Sequence, residues 1–246
     1  ALRLTAQAAE RVEASRRQIS ATVENTPNVA VQWFDPQGRV IFWNSASERL
    51  YGWSADEAKG KRLDELIFTQ DEAARCQSVF EEVMATGQPD GPTEYATRTR
   101  TGELRWVEST AFLIPGEDRL APIMVCMDVD ITDRKLAEQK LREFNRDVEG
   151  FLNQTTDFVY FKDINSRFRF CSQTLADITG HASWRDMIGK HDREVFPPDT
   201  ACLYEAEEYP VFTEGRPLID KVEPYYDKDG QTGYVQTNKW PLFDEE

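Results

Sequence analysis

The sequence has little of what metal centres, disulfide scaffolds and catalytic dyads are made from. Of 246 residues only two are histidine, His181 and His191, and they are not spaced to share one helical face. Four cysteines, Cys76, Cys126, Cys171 and Cys202, stand far apart without a C-x-x-C. That pattern offers neither a zinc site nor a dense disulfide framework, and it fits a reducing compartment. No apolar run approaches the roughly 20 residues a membrane helix needs, and no signal peptide is visible. A cytoplasmic placement is therefore expected, with any membrane anchor lying outside this segment. Positive charge is also in deficit: 29 basic against 44 acidic side chains give −15, which argues against a nucleic-acid backbone as partner. The first residue is alanine rather than methionine, so the chain reads as a piece of something longer.

What is present is ample for buried cores, with 40% hydrophobic and 11% aromatic residues. It is also repeated. Asp35-Pro-Gln-Gly-Arg39 superimposes on Asp163-Ile-Asn-Ser-Arg167 at an offset of 128 positions. The same offset places Asn44 on Ser172, Gly52 on Gly180, Gly87 on Gly215 and Trp106 on Tyr234. A one-residue gain between Gly52 and Gly60 is later recovered, which chance similarity rarely does. Two homologous domains of about 110 residues follow, far too long a period for a solenoid.

Within the first copy, 29–34 and 39–43 are rich in β-branched and aromatic residues and flank an Asp-Pro-Gln-Gly turn, a hairpin pattern. Helical spacing from Ala46 stops at Gly52, and Ser54-Ala-Asp-Glu57 is a capping box. A longer helix is expected over 71–86. A second hairpin is expected over 95–100 and 104–113, and a fifth strand over 124–131. The fold class is α+β: two domains, each a five-stranded antiparallel sheet with short helices on one face. At the repeat offset the fifth strand of the second copy would fall beyond Glu246, so that copy is expected to lack its last strand here.

The residues Asp35-x-x-Gly38-Arg39, Trp43-Asn44-x-x-x-Glu48-Arg49-Leu50-Tyr51-Gly52, Glu57-Ala58-x-Gly60-Lys61 and Asp130-Ile131-Thr132 resemble the PAS sensory family. Lys162-Asp163-x-x-x-Arg167-Phe168, Ile188-Gly189-Lys190, Phe196-Pro197-Pro198 and Asp229-Gly230 carry the resemblance in the second copy. The expected layout is an N-terminal linker helix at 1–23, one domain at 24–133, a connecting helix at 134–151 and a second domain at 152–246. The resemblance implies a pocket between sheet and helices that holds a flavin, a haem, a small organic acid or nothing. Candidate pocket residues are Trp33, Trp43, Asn44, Tyr51, Leu63, Thr97 and Trp106 in the first domain. In the second they are Phe161, Phe170, His181, His191, Tyr204, Gln236, Asn238 and Trp240. Asp130 and Thr132 are the expected relay into the following helix. Val12 and Ile19, then Leu141, Phe144 and Val148, form apolar stripes suited to a homodimer through helices and domain faces.

Chemistry is mostly excluded. Light-sensing flavin members carry a cysteine three residues after the glycine matching Gly60; here that residue is Leu63, and Asp192 in the second copy. The stretches matching the haem-binding helix contain no histidine, so haem is not expected. Redox-sensing flavin members have an asparagine near Thr97, so FAD or FMN in the first domain stands behind the expectation of no cofactor. No metal and no catalytic residue are expected. The function expected is a non-catalytic sensory and dimerisation region feeding a C-terminal effector, a cyclic di-GMP cyclase or phosphodiesterase. The alternatives are the sensor region of a two-component histidine kinase or a ligand-free interaction scaffold.

Overall fold

The computed structural model describes residues 18, 21–67, 70–116, 121–226 and 229–243, and the chain separates into two units, 1–139 and 140–246. Val12 and Ile19 of the expected N-terminal stripe lie outside the described residues. Among the described residues no helix is long and apolar enough to cross a membrane.

Unit 1 opens with β1 (Ala30–Phe34) and β2 (Val40–Trp43), followed by α1 (Ser45–Tyr51), α2 (Ala55–Ala58), a 3-10 turn at Leu63–Glu65 and α3 (Gln70–Thr86). Then come β3 (Asp90–Arg98), β4 (Leu104–Ile114) and β5 (Ile123–Asp130), and α4 (Thr132–Gln154) crosses the unit boundary. The turn of the first hairpin is held by Asp35, whose Oδ1 accepts from the backbone N–H of Gln37 and of Arg39, each at 2.9 Å. Gly38 supplies the left-handed residue at φ 75°. In unit 2 Asp163 repeats both bonds, and Ser166 takes that conformation at φ 53°. The capping box read at Ser54 and Glu57 is formed.

The five strands order as β2-β1-β5-β4-β3, all antiparallel, so the last strand in sequence is the middle strand in space. The side chains of Phe34, Val40, Trp43, Tyr51, Leu66, Ile67, Val83 and Met124 form the core between sheet and helices. One boundary differs from the sequence reading. β3 begins at Asp90 rather than at Tyr95, because a register shift between Asp90 and Thr93 lodges the Gly91-Pro92 pair inside a paired strand.

Unit 2 comprises β6 (Tyr160–Lys162), β7 (Phe168–Cys171), α5 (Gln173–Ile178), a 3-10 turn at Trp184–Met187, α6 (Asp192–Val195), α7 (Pro198–Glu214), β8 (Leu218–Tyr226) and β9 (Thr232–Lys239). Its strands form two separate two-stranded sheets, β6-β7 and β8-β9. Among the described residues no strand stands where β5 stands in unit 1. A small core of Leu152, Phe168, Cys171, Leu175, Trp184 and Met187 packs one side of β6-β7.

Asn44 shows how tightly the first hairpin is tied to α1. Its Oδ1 accepts from the N–H of Val31 at 3.0 Å and of Ser47 at 2.9 Å, and its Nδ2 donates to the carbonyls of Val23 and Val29. The side chain is fully buried, so each bond replaces one that water would have made. Ser172 repeats the cap in unit 2 through its Oγ, which accepts from Val159 and Leu175 N–H. Asn44→Ala is expected to cost roughly 3 kcal/mol, by stranding buried N–H groups and removing a cap. Urea unfolding of the first domain measures it, and a loss below about 1 kcal/mol contradicts this account.

Candidate functional site

Unit 1 contains a cavity of about 310 Å³ between the inner face of the sheet and α3, within the range of small-ligand pockets. Its wall is largely apolar, with Phe34, Leu63, Ile67, Val79, Phe80, Ala111 and Met124, and Tyr51, Tyr95 and Trp106 add aromatic surface. Strand alternation decides which residues reach it. Phe34 of β1, Val107, Ser109 and Ala111 of β4, and Met124, Cys126 and Asp128 of β5 all line it.

The polar end is made by Asp128. It lies on the central strand opposite Ala30 and Ser109, and the Tyr51 hydroxyl donates to its Oδ2 at 2.7 Å. Burial raises the Asp128 pKa, against the opposing pull of hydrogen bonds from Ser109, Tyr51 and Gln32. Burial and then the Asp128 charge push the Tyr51 phenol well above its ordinary value. Gln32 is fully buried; its Nε2 donates to Ser47 Oγ at 3.1 Å, and its Oε1 has no hydrogen-bond partner among the described residues. At the other end Arg62 pairs with Asp64 at 3.1 Å, and the Arg75 guanidinium sits 5.1 Å over the Tyr95 ring. Two thiols line the wall: burial pushes Cys76 up to about 12 and Cys126 well above its usual range, so both stay protonated at neutral pH.

Of the expected first-domain residues, the cavity brings together Tyr51, Leu63 and Trp106. The others point elsewhere. Trp33 alternates with Phe34 onto the opposite face, where it packs on Phe42 with ring centroids 4.6 Å apart. Trp43 is core, its Nε1 donating to the Trp53 carbonyl at 3.0 Å. Asn44 is spent on backbone, and the Thr97 hydroxyl donates to the Ile67 carbonyl at 2.8 Å. Asp128 was missed, although an aspartate set between Met127 and Val129 of an apolar strand is a signal that sequence reading can use.

The second-domain set does not converge. Phe161 and Phe170 stack on each other across the hairpin with centroids 4.4 Å apart, on the face away from buried Phe168. Gln236, Asn238 and Trp240 are exposed, because on β9 alternation turns the odd-numbered residues inward and leaves Lys239 buried. His181 lies between Thr179 Oγ1 and Lys190 Nζ, each at 3.0 Å, and burial followed by the Lys190 charge lowers its pKa. His191 is an N-cap, its Nδ1 accepting from Arg193 N–H, and it stands 3.6 Å from Glu205. Asp192 does not hold the His191 ring; it turns inward to Lys162, and only Tyr204 of the expected set joins it there.

At the end of β5 the relay residues are bonded to the cavity wall. Ile131 N–H donates to the Trp106 carbonyl at 2.9 Å, and Trp106 N–H donates to Thr132 Oγ1 at 3.0 Å. Asp130 Oδ1 accepts from Thr132 N–H at 2.8 Å. The first turn of α4 is also clipped to β3: Lys135 and Arg134 both pair with Glu94, and Lys135 lies 5.5 Å over the Trp106 ring. Those cations, Lys135 first, hold the Glu94 carboxyl below its usual range. Further along α4, Leu141 and Phe144 are 60% and 65% exposed, whereas Val148 packs with Leu152 into the unit 2 core.

A sheet with its final strand in the middle, a cavity under the helices and an exit strand bonded into a helix define a sensory class of domain. Family models described as PAS fold match residues 40–126 and 152–246, and the chain belongs to that family as a tandem of two such domains. Blue-light-activated histidine kinases of Brucella ovis and Brucella canis are 32% identical over 101 residues, covering 41% of this chain. The chain spans about a fifth (19%) of the length of those relatives. Among solved structures, a PAS domain from Colwellia psychrerythraea is 24% identical with a TM-score of 0.43, covering 48% of this chain and 97% of its own. An RNA-binding light-oxygen-voltage receptor is 20% identical with a TM-score of 0.44, covering 53% of this chain and 37% of its own.

The lining does not fit an adduct-forming flavin, since Leu63 presents hydrocarbon where that chemistry needs a thiol. Thr97, in the place of an asparagine, is committed to Ile67 and does not line the cavity.

Asp128 makes stability depend on pH. Its folded pKa lies above the unfolded value of about 3.9, so above that value the folded state holds more protons than the unfolded state. Stability is therefore unaffected below the unfolded pKa and falls as pH rises through the raised folded pKa. Asp128→Asn keeps an acceptor for Tyr51 and removes the titration. Its stability relative to the native protein is expected to rise from about pH 4 upward, read from urea midpoints across that range. Parallel curves refute the assignment.

Proposed function

We propose that the chain is the sensor region of a signalling protein, with a compact ligand in the unit 1 cavity controlling the start of α4. The observation that carries this is a shared residue set. Trp106 and Glu94 line the cavity and also hold the first turn of α4, one by backbone bonds and the other by paired cations. A ligand that shifts β3 or β4 at these positions changes the contacts of that helix, which is what a differential affinity for two states requires. The lining favours a mainly apolar body with one hydrogen-bonding group placed against Asp128. The exposed Leu141 and Phe144 on α4 support a role for that helix in pairing two copies.

For the effector, the Brucella relatives favour a two-component histidine kinase over the cyclic di-GMP enzyme expected from the sequence. No catalytic residue is assigned to this chain. A non-covalent flavin is the alternative ligand, supported by the aromatic lining and by the light-activated relatives.

Ala111 lies on the cavity floor, so Ala111→Phe fills it. Denaturing mass spectrometry of the purified protein is expected to release one small molecule from the native chain and none from Ala111→Phe. Hydrogen exchange at residues 131–136 is expected to differ between the two by several-fold. No released molecule together with identical exchange defeats the proposal, and a flavin absorption band in the native protein replaces the ligand class with flavin.

A further inference from the structure

The repeat offset of 128 has a chemical counterpart inside the two units. Phe34, Cys76, Phe80, Tyr95 and Ala111 line the unit 1 cavity. At the same offset unit 2 carries Lys162, Tyr204, Glu208, Glu223 and Lys239. The alignment is structural as well, since Tyr95 pairs with Val107 in β3-β4 and Glu223 pairs with Val235 in β8-β9. Unit 2 thus holds an ionic interior where unit 1 holds an oily one.

That interior is built around Lys162. Its Nζ lies 2.6 Å from Asp192 Oδ2 and 2.7 Å from Glu208 Oε1, and all three side chains are at least 95% buried. Lys239 Nζ approaches the same Glu208 oxygen at 3.5 Å and stands 5.1 Å over the Tyr204 ring. Glu223 is only 3% exposed. One oxygen each of Asp192, Glu208 and Glu223 (Oδ1, Oε2 and Oε1) has no hydrogen-bond partner among the described residues. The three carboxylates act on the same two phenols: after burial, their charges raise Tyr160 above its ordinary value and push Tyr204 up to about 12.

Glu207 joins the set, pairing with Lys221 and standing 3.6 Å from Lys239, so four carboxylates face three ammoniums and one negative charge is unbalanced. Unbonded buried carboxylate oxygens carry a desolvation penalty, and a complementary donor relieves it. A divalent metal is a poor match, because each of Asp192 and Glu208 already gives an oxygen to an ammonium. No group of acidic, histidine or cysteine side chains among the described residues is arranged to hold a metal ion. The two phenol rings already hold ammonium groups, Lys162 5.2 Å over Tyr160 and Lys239 5.1 Å over Tyr204, so this interior is of a kind that accommodates amine cations. We infer that unit 2 binds a small organic monocation, a primary ammonium or guanidinium, whose N–H groups bond the open oxygens of Asp192, Glu208 and Glu223. The tandem then reads two ligands of opposite character, one apolar and one cationic.

The test is calorimetric titration of the 246-residue chain with the chlorides of ethylamine, cadaverine and agmatine at constant ionic strength. Ethanol, sodium acetate and magnesium chloride serve as controls. At least one amine is expected to bind and the controls are not. Glu223→Gln cancels the unbalanced charge and is expected to weaken the amine at least tenfold. Lys239→Gln removes a repelling cation and is expected to tighten it, an opposite sign that loss of structure cannot mimic. Circular dichroism verifies that both variants fold. The inference is overturned if no amine binds, if acetate or magnesium binds instead, or if both variants bind as the native chain does. The cavity-filling Ala111→Phe is expected to leave amine binding unchanged, so failure here and failure of the unit 1 reading are separable.

Discussion

The pairing of β5 between β1 and β4 is the constraint on which unit 1 depends. A strand placed last in sequence and first in the middle joins two hairpins that otherwise share no edge. It therefore carries three features at once: Met124 and Cys126 in the cavity wall, Asp128 at its polar end, and Asp130 at the entry to α4. In the proposed function the cavity and the helix meet on alternate residues of one strand, whose backbone is hydrogen-bonded on both sides. Where no such strand is present, as in the described part of unit 2, the same hairpins form two separate ribbons.

The polar interiors of the two units solve the burial problem differently. In unit 1 a single carboxyl is accommodated by hydrogen bonds and a raised pKa, at low net charge. In unit 2 charge is met by charge, with Lys162 shared by two carboxylates. Removing one member of such a set leaves its partners uncompensated, so the set changes by concerted substitution more readily than by single steps. The two scaffolds share one register, and residues at equivalent positions are largely apolar in unit 1 and ionic in unit 2.

Much of the fold was legible in the sequence because its signals are local. Asp35 and Asp163 specify turns through their own backbone bonds, Ser54 and Glu57 cap a helix, and Gly52 ends one. The repeat then extended each local reading to a second copy. The site was less legible, since lining a cavity depends on which face of a strand a residue occupies and on what crosses above it. Trp33 and Phe34 are adjacent and equally aromatic, yet only Phe34 faces the cavity. Gln236 and Asn238 looked suited to a polar ligand, but one step of alternation gave the interior to Lys239. Lys162 and Glu223 are buried charges, which local sequence pattern does not separate from exposed ones.

The clip between Glu94 and the first turn of α4 differs from both interiors in its exposure to solvent. Glu94 and Arg134 are about one-third to one-half exposed, at 36% and 48%, whereas Lys162, Asp192 and Glu208 are nearly sealed. Dissolved ions screen exposed pairs within a Debye length of about 8 Å at physiological ionic strength and reach sealed pairs far less. Raised salt therefore loosens the hold of the sheet on the first turn of α4 while leaving the buried ion pairs intact. In the proposed function, ionic strength then tunes how strongly the unit 1 cavity is felt by the helix, separately from the affinity of that cavity.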